Sequence, residues 1–373
     1  MKVAIIHYWF ITKRGGEKVV ESLLKLFPEA DIYTLFYDKR NYGPFLNNNN
    51  VYTSVLDKPF LRRNYQKIFP LYPMGIRSLR LKQDYDLIIS SESGPSKGIK
   101  INNNAKHICY VHSPMRYCYT HTDMYLKSVR PILRPFMSFF LRRLKSWDQK
   151  TISNVDLYIS NSKNVSQRVK NFFYSDSEVV YPPISDELFT KALPLNTKKD
   201  YYLSFGAITP YKKIDLLIDT FNEIDKDLII IGQGSEKEKL RKKANNNISF
   251  MNANRWEDIE RIILNTKALL FPGEEDFGMI PLEIMAYGVP VIAFGKGGAL
   301  ETIIENKENV AKSTGIFFNS QNTSSLNKAL QWFEENENKF DAKFIKEHAS
   351  RFSEKHFLST FSKVIKDFLE RRE

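Results

Sequence analysis

The sequence predicts an α/β protein made of two doubly wound, mostly parallel-sheet domains. Short apolar runs alternate with amphipathic helical stretches along the 373 residues. That alternation restarts as a second cycle near residue 200. Between the cycles lies VYPPISDELFTKALPLNTK at 180–198, rich in proline and polar residues and suited to an interdomain linker.

The first cycle opens with VAIIHYW at 3–9, which reads as a buried strand. The polar loop ITKRGGE follows, then an amphipathic helix from Gly16 to Phe27. Strand, glycine loop and helix in that order begin a Rossmann-like sheet. Further strands are expected at 30–36, 86–90, 107–111 and 155–160. In the second cycle strands are expected at 201–206, 227–232, 247–251, 268–272, 289–294 and 315–318, with a helix at 214–224. The last stretch, Phe352 to Glu373, carries Phe357, Phe361, Ile365 and Phe368 on one helical stripe. The expected domains are therefore 1–185, 186–351 and a terminal helix over 352–373.

Composition narrows the class. Apolar residues at 42% suffice for two cores. The net charge of +12 is uneven: residues 1–185 hold 28 Lys and Arg against 14 Asp and Glu, and the remainder holds 27 against 29. The first half is thus expected to face something anionic, and charge alone leaves nucleic acid, membrane and pyrophosphate-linked lipid open. Two cysteines, Cys109 and Cys118, make neither a disulfide framework nor a zinc pattern. No secretory leader is read at the start, and no apolar run approaches the roughly 18–20 residues of a membrane span. The expected location is cytoplasmic, at the inner face of the membrane.

The stretch FPGEEDFGMIPLEIMAYGVPVIAFGKGGALETII at 271–304 carries the functional expectation. Glu275 and Glu283 flank Phe277, Gly278, Met279 and Ile280, and Pro281 is expected to open the helix that holds Glu283. The backbone N–H groups of 278–280 suit a diphosphate. The carboxylates suit sugar and ribose hydroxyls, each charge-assisted bond contributing about 1.5–3 kcal/mol. Taken singly, Glu275 reads more simply as a solvated loop acid and Glu283 as a helix-start acid favoured by the dipole; the whole string reverses that preference.

This string closely resembles glycosyltransferase family 4. The resemblance rests on Glu275…Glu283, on Gly288 to Ala293, and on Gly297-Gly298-Ala299-Leu300-Glu301. It extends to Gly15-Gly16-Glu17-Lys18-Val19, to Tyr110 through Tyr117, and to Tyr181-Pro182-Pro183-Ile184. The branch most similar is that of O-antigen mannosyltransferases. The resemblance implies a GT-B fold, its two Rossmann-like domains facing across a cleft with the C-terminal helix crossing back to the first. It implies a retaining, metal-independent hexosyl transfer, with GDP-mannose as the favoured donor and no cofactor. Glu275 would contact donor-sugar hydroxyls, Glu283 the ribose, His112 the transferred sugar, and Gly15 and Gly16 the donor phosphates. Gly206, Lys212 and Lys213 match a phosphate-binding segment, with Lys212 the principal cation. Ala207 stands where that family has an arginine.

On the acceptor side, Arg116, Arg130, Arg134, Arg142 and Arg143 accompany Phe136, Phe139 and Phe140, and residues 58–82 repeat the basic-aromatic theme. This suits an anionic bilayer and a lipid-linked or glycan acceptor, while an ordinary core helix with a basic face has the same pattern. Asp84-Tyr85-Asp86 resembles a metal motif but reads as a loop, and no metal site is expected. Two rivals are a nucleotide-sugar epimerase of the same fold and a UDP-sugar-dependent transferase. A non-catalytic basic module is a third, but no nucleic-acid motif supports it.

Overall fold

The computed structural model describes residues 1–101, 104–127, 129–191, 200–252 and 255–370. The chain divides into two compact units. The first comprises Met1–Pro183 and Phe357–Glu373, the second Ile184–His356.

The first unit holds a seven-stranded parallel sheet. Its strands are β1 (Val3–Phe10), β2 (Asp31–Tyr37), β3 (Val51–Thr53), β4 (Leu87–Glu92), β5 (Lys106–Val111), β6 (Leu157–Ser160) and β7 (Glu178–Val179), in the order β3-β2-β1-β4-β5-β6-β7. Both faces of this sheet are covered, so the strands are apolar on both sides. One face packs helix α1 (Gly15–Leu26) through Val19, Val20 and Leu23. The same core takes Phe357, Phe361 and Ile365 from the C-terminal helix α6 (Glu354–Glu370). Their spacing of four aligns them along one helical stripe, and full burial of each contributes about 1.5–3 kcal/mol. The opposite face takes Leu141 and Leu144 from helix α2 (Arg134–Lys150).

The second unit holds a six-stranded parallel sheet. Its strands are β8 (Tyr201–Phe205), β9 (Leu228–Ile231), β10 (Ile248–Met251), β11 (Thr266–Phe271), β12 (Val291–Phe294) and β13 (Gly315–Phe318), in the order β10-β9-β8-β11-β12-β13. The helices flanking it include α4 (Ile214–Phe221) and the short α5 (Met279–Met285). In both units the first strand of the cycle lies inside the sheet and the order reverses beside it. Ligands of doubly wound sheets bind at the carboxyl edge next to such a reversal. The reversal falls between β1 and β4 in one unit and between β8 and β11 in the other.

Two sequence expectations change. The stretch expected to link the domains is built structure through most of its first half. Val180 donates its N–H to Ser160 O at 3.0 Å, Ile184 bridges Ser353, and helix α3 runs over Asp186–Thr190. Positions 192–198 of that stretch lie outside the described residues. The helix bearing Glu283 begins at Met279 rather than Pro281, because Gly278 at φ 93° ends the loop in a conformation that favours glycine. Among the described residues no helix is long and apolar enough to cross a membrane.

Candidate active site

In the second unit, glycines bring the loops after β8, β9, β11 and β12 together. A Cβ on Gly232 would meet the carbonyl oxygen of Gly206 at 1.8 Å, and one on Gly273 would lie 3.0 Å from Lys212 Cα. The second approach sets the acidic loop after β11 against the turn Pro210–Lys212. The Lys212 ammonium there ion-pairs with the Glu275 carboxylate. Their side chains are 15% and 11% exposed, so solvent screens this pair less than an ordinary surface pair.

The Gly297-Gly298 loop explains itself in the same geometry. Gly298 N–H donates to Glu275 O at 2.8 Å. Gly297 has φ 64°, and a Cβ on Gly298 would come within 2.3 Å of Phe277 Cα. The two glycines therefore let one loop lie flat against the other and fix the backbone of Glu275. Phe277 is buried against Phe352, at 5.8 Å between ring centroids.

Glu283 is buried, 6% exposed, as the fifth residue of α5. Gly278, Met279 and Ile280 are half-buried at the start of that helix, and Ile280 reaches to within 2.8 Å of where a Gly206 Cβ would stand. Lys213 is half-buried at φ 56° and makes no ion pair among the described residues. Ala207 is exposed. Two neighbours escaped the sequence reading. Asp276, between the two glutamates, is buried. The Thr209 hydroxyl, in the turn before Lys212, is buried with no hydrogen-bond partner among the described residues.

In the first unit, Gly15 and Gly16 open α1 just beyond β1. Gly16 lies against Tyr8 so closely that a Cβ would stand 2.4 Å from its hydroxyl. Glu17, in the first turn of α1, is fully buried, and burial raises its pKa to about 7 against a smaller pull from Arg14. His112 lies one residue past β5 and donates its N–H to Glu92 O at 2.8 Å. Its ring Nε2 is 2.7 Å from Ser91 Oγ. His107 instead is a core histidine held by Asn154 O and Ser90 Oγ, and burial lowers its pKa to about 4.

Beneath the loop after β4 lies a buried ionic cluster that the sequence did not announce. The Lys97 ammonium touches Asp148 and lies 3.7 Å from Glu92, and Tyr119 Oη donates to Asp148 at 2.7 Å. With two acids sharing one cation, burial lifts Glu92 to about 7 despite Lys97. A lysine and an aspartate 51 positions apart give no pattern to read.

Arg116 is half-buried at the start of a short helix, Arg116–Tyr119. Arg130, Arg134, Arg142 and Arg143 are all exposed. They share α2 and the segment before it with Ile132, Phe136, Phe139 and Phe140, which are also exposed, Ile132 to 79% and Phe136 to 66%. The helix therefore has a core stripe on one side and an apolar, cationic face on the other. Phe60 and Met74, from the short helical segments over 59–78, are exposed as well. Among the described residues no group of three or more His, Cys, Asp or Glu is placed to hold a metal ion.

Comparison with known proteins adds to this geometry. A family model described as Glycosyltransferase Family 4 matches residues 13–188, and one described as Glycosyl transferases group 1 matches residues 185–351. An uncharacterized glycosyltransferase of Methanocaldococcus jannaschii is 26% identical over 82% of this chain and 82% of its own. Alpha-1,3/1,6-mannosyltransferase ALG2 of Kluyveromyces lactis is 28% identical over 58% of this chain and 56% of its own. Among solved structures, Anabaena HepE in complex with UDP superposes with a TM-score of 0.69 at 15% identity, covering 98% of this chain and all of that one.

Proposed function

We propose, from the premise that the chain belongs to glycosyltransferase family 4 and has the GT-B fold, that it transfers mannose from GDP-mannose to a lipid-linked or polysaccharide acceptor in surface-glycan synthesis. The observation that carries this reading is the Lys212–Glu275 pair at the carboxyl edge of the second sheet, with Glu283 eight residues further on. A phosphate takes an ammonium in preference to a lone carboxylate, because it offers more charge and more acceptor oxygens. An arriving diphosphate therefore draws Lys212 away from Glu275, whose carboxylate then turns to the hydroxyls of the sugar. Glu283 takes the ribose diol, and the N–H groups of 278–280 supplement Lys212 on the phosphates. In the first unit, His112 takes a hydroxyl of the transferred sugar and the Gly15-Gly16 loop approaches the phosphates.

Transfer then proceeds with retention and without a divalent ion. The acceptor oxygen attacks on the face the diphosphate leaves, the C1–O bond to the phosphate breaks, and the departing phosphate oxygen takes the acceptor's proton. Lys212 and the N–H groups stabilise the charge that develops on the leaving group. Mannose is favoured by the name of the Kluyveromyces relative and by the O-antigen mannosyltransferase resemblance of the 271–304 stretch.

A thermal-shift panel of nucleotide sugars tests the donor. A ligand at about 100 times its dissociation constant adds about 2.7 kcal/mol to the unit that binds it. Stabilisation by GDP-mannose is expected. Stabilisation by UDP-sugars alone moves the reading to a UDP-hexose transferase, and an epimerised nucleotide sugar formed without acceptor replaces transfer by epimerisation. Activity is expected to persist in EDTA.

The exposed face of α2 supports a peripheral place at the inner face of the cytoplasmic membrane. Phe136, Phe139 and Phe140 enter the interface there while Arg134, Arg142 and Arg143 meet anionic headgroups. Flotation with vesicles containing anionic lipid is expected to carry the protein at low salt. Changing Phe136 and Phe139 together to serine is expected to abolish flotation without lowering thermal stability, since both rings are exposed.

A further inference from the structure

His7 on β1, Ser91 on β4 and His112 just beyond β5 form a hydrogen-bonded chain, of which the proposed chemistry uses His112 alone. His7 on β1 stands opposite Ser91 on β4 in the parallel register. His7 Nδ1 lies 2.9 Å from Ser91 Oγ, and the same Oγ lies 2.7 Å from His112 Nε2. His7 and Ser91 are wholly buried, whereas His112 is half-buried just beyond β5. The Cε1 edge of the His7 ring meets the glycine loop, since a Cβ on Gly16 would stand 3.3 Å from His7 Cε1.

The protons in this chain are constrained. Burial, and then the nearby His112, hold the His7 pKa well below the ordinary imidazole range, so His7 is neutral. Ser91 Oγ has only the two ring nitrogens as partners among the described residues, so its single proton goes to one of them. If Ser91 donated to His7, the His7 proton would sit on Nε2, which is buried and has no hydrogen-bond partner among the described residues. Orphaned buried N–H donors are the rarest defect in folded proteins, rarer than under-used acceptors. The other arrangement avoids that defect. His7 Nδ1–H donates to Ser91, and Ser91 donates to His112 Nε2.

We propose that His7 and Ser91 are positioning residues that hold the His112 ring in one orientation with its proton on Nδ1. The ring then carries an N–H donor, rather than a bare nitrogen, at Nδ1. A donor suits the oxygen of a sugar hydroxyl, and it makes His112 a hydroxyl-orienting group rather than a base. The assignment of that hydroxyl to the transferred sugar rests on the function proposed above. The tautomer itself does not.

The test separates the two. The full-length protein is labelled with ¹⁵N-histidine, which gives six imidazoles to resolve, and His112→Gln assigns the resonances of interest. Long-range ¹H–¹⁵N correlation at pH 8, without any nucleotide, is expected to show His112 protonated on Nδ1. Ser91→Ala is expected to shift His112 toward the Nε2–H form and to lower kcat about 10-fold, as loss of one orienting hydrogen bond would, with KM for the donor changed less than 2-fold. His7→Gln keeps an N–H donor for Ser91 and is expected to restore most of the rate that His7→Leu loses. A wild-type His112 carrying its proton on Nε2 overturns the proposal whether or not the variants fold. So does a Ser91→Ala protein whose His112 spectrum is unchanged. If the tautomer is as expected while no nucleotide sugar is turned over, the function proposed above fails and the positioning role stands.

Discussion

At the carboxyl edge of the second sheet the site is built from opposite charges on short loops, Lys212 against Glu275, drawn together by glycines that let backbone lie on backbone. At the corresponding edge of the first sheet burial pushes groups toward neutrality: His7, in a hydrogen-bonded chain with Ser91 and His112, is held well below the ordinary imidazole range, and Glu17 and Glu92 are lifted to about 7. The strand order is the same where the two sheets reverse, so the fold does not dictate the difference. It follows the task each edge is proposed to perform. A diphosphate is bound by mobile charge that can exchange one partner for another. A sugar hydroxyl is oriented by fixed dipoles, and these work best where water cannot compete.

The largest expected effect tests the charged edge. Glu275→Gln keeps the shape of the side chain but removes its charge and one acceptor. Transfer is expected to fall about 1000-fold, as loss of two charge-assisted hydrogen bonds to sugar hydroxyls at about 1.5–3 kcal/mol each would give. Steady-state kinetics with GDP-mannose would read it. A loss under 10-fold would place Glu275 outside the reacting region and leave the two edges with no contrast of function.

The neutral edge yields an effect on stability. Burial raises the Glu17 carboxyl from 4.5 to about 7. The folded state therefore binds this proton more tightly than the unfolded state does. The stabilisation is complete below pH 4.5 and is lost as the pH rises through 7. Above that range the folded protein holds a buried carboxylate at a cost of about 3 kcal/mol. Glu17→Gln removes the titration. Its melting temperature is expected to exceed that of the parent at pH 8 and to match it at pH 4.5. Equal differences at the two pH values would show that Glu17 is already ionised in the folded state, and that this edge is charged after all.

The same contrast accounts for what the sequence disclosed. Glu275, Glu283, Gly297 and Gly298 lie within 24 positions, and the two glycines pack against the backbone of Glu275 and Phe277, so the motif is continuous and legible. The strands were legible for a similar reason, since parallel strands buried on both faces are unbroken apolar runs. The short strands β3 and β7 were not, having two or three residues each and no apolar run to mark them. The chain at the other edge joins positions 7, 91 and 112, and Lys97 meets Asp148. Nothing local in the sequence requires those pairings. The only trace is polarity set into apolar strands, in the His within VAIIHYWF and the Ser-Glu that closes LIISSE. Pro281, a good first-turn residue, points to a start of α5 at its own position, while the residue that decides the turn is Gly278, two positions before the proline's own neighbour Ile280.

The smallest effect is the most specific, because it concerns the coupling of two groups and not the removal of either. If Lys212 leaves Glu275 for the arriving phosphate, each side chain alters what the other can do. Lys212→Ala alone deletes a cation and leaves a half-buried carboxylate without that counter-charge beside the phosphate site, so GDP binding suffers twice. Adding Glu275→Gln to Lys212→Ala removes the repulsion but not the missing cation, so the double variant is expected to bind GDP more tightly than Lys212→Ala. A double-mutant cycle on GDP affinity by calorimetry is expected to give a coupling of about 1.5 kcal/mol, within the range for groups in direct contact. A second cycle, repeated in high salt, distinguishes a sheltered pair from a solvated one. Side chains exposed to only 15% and 11% are screened little, so the coupling is expected to persist. An additive cycle at low salt would mean that Lys212 and Glu275 serve separate ligand groups throughout, and that no exchange of partners accompanies donor binding.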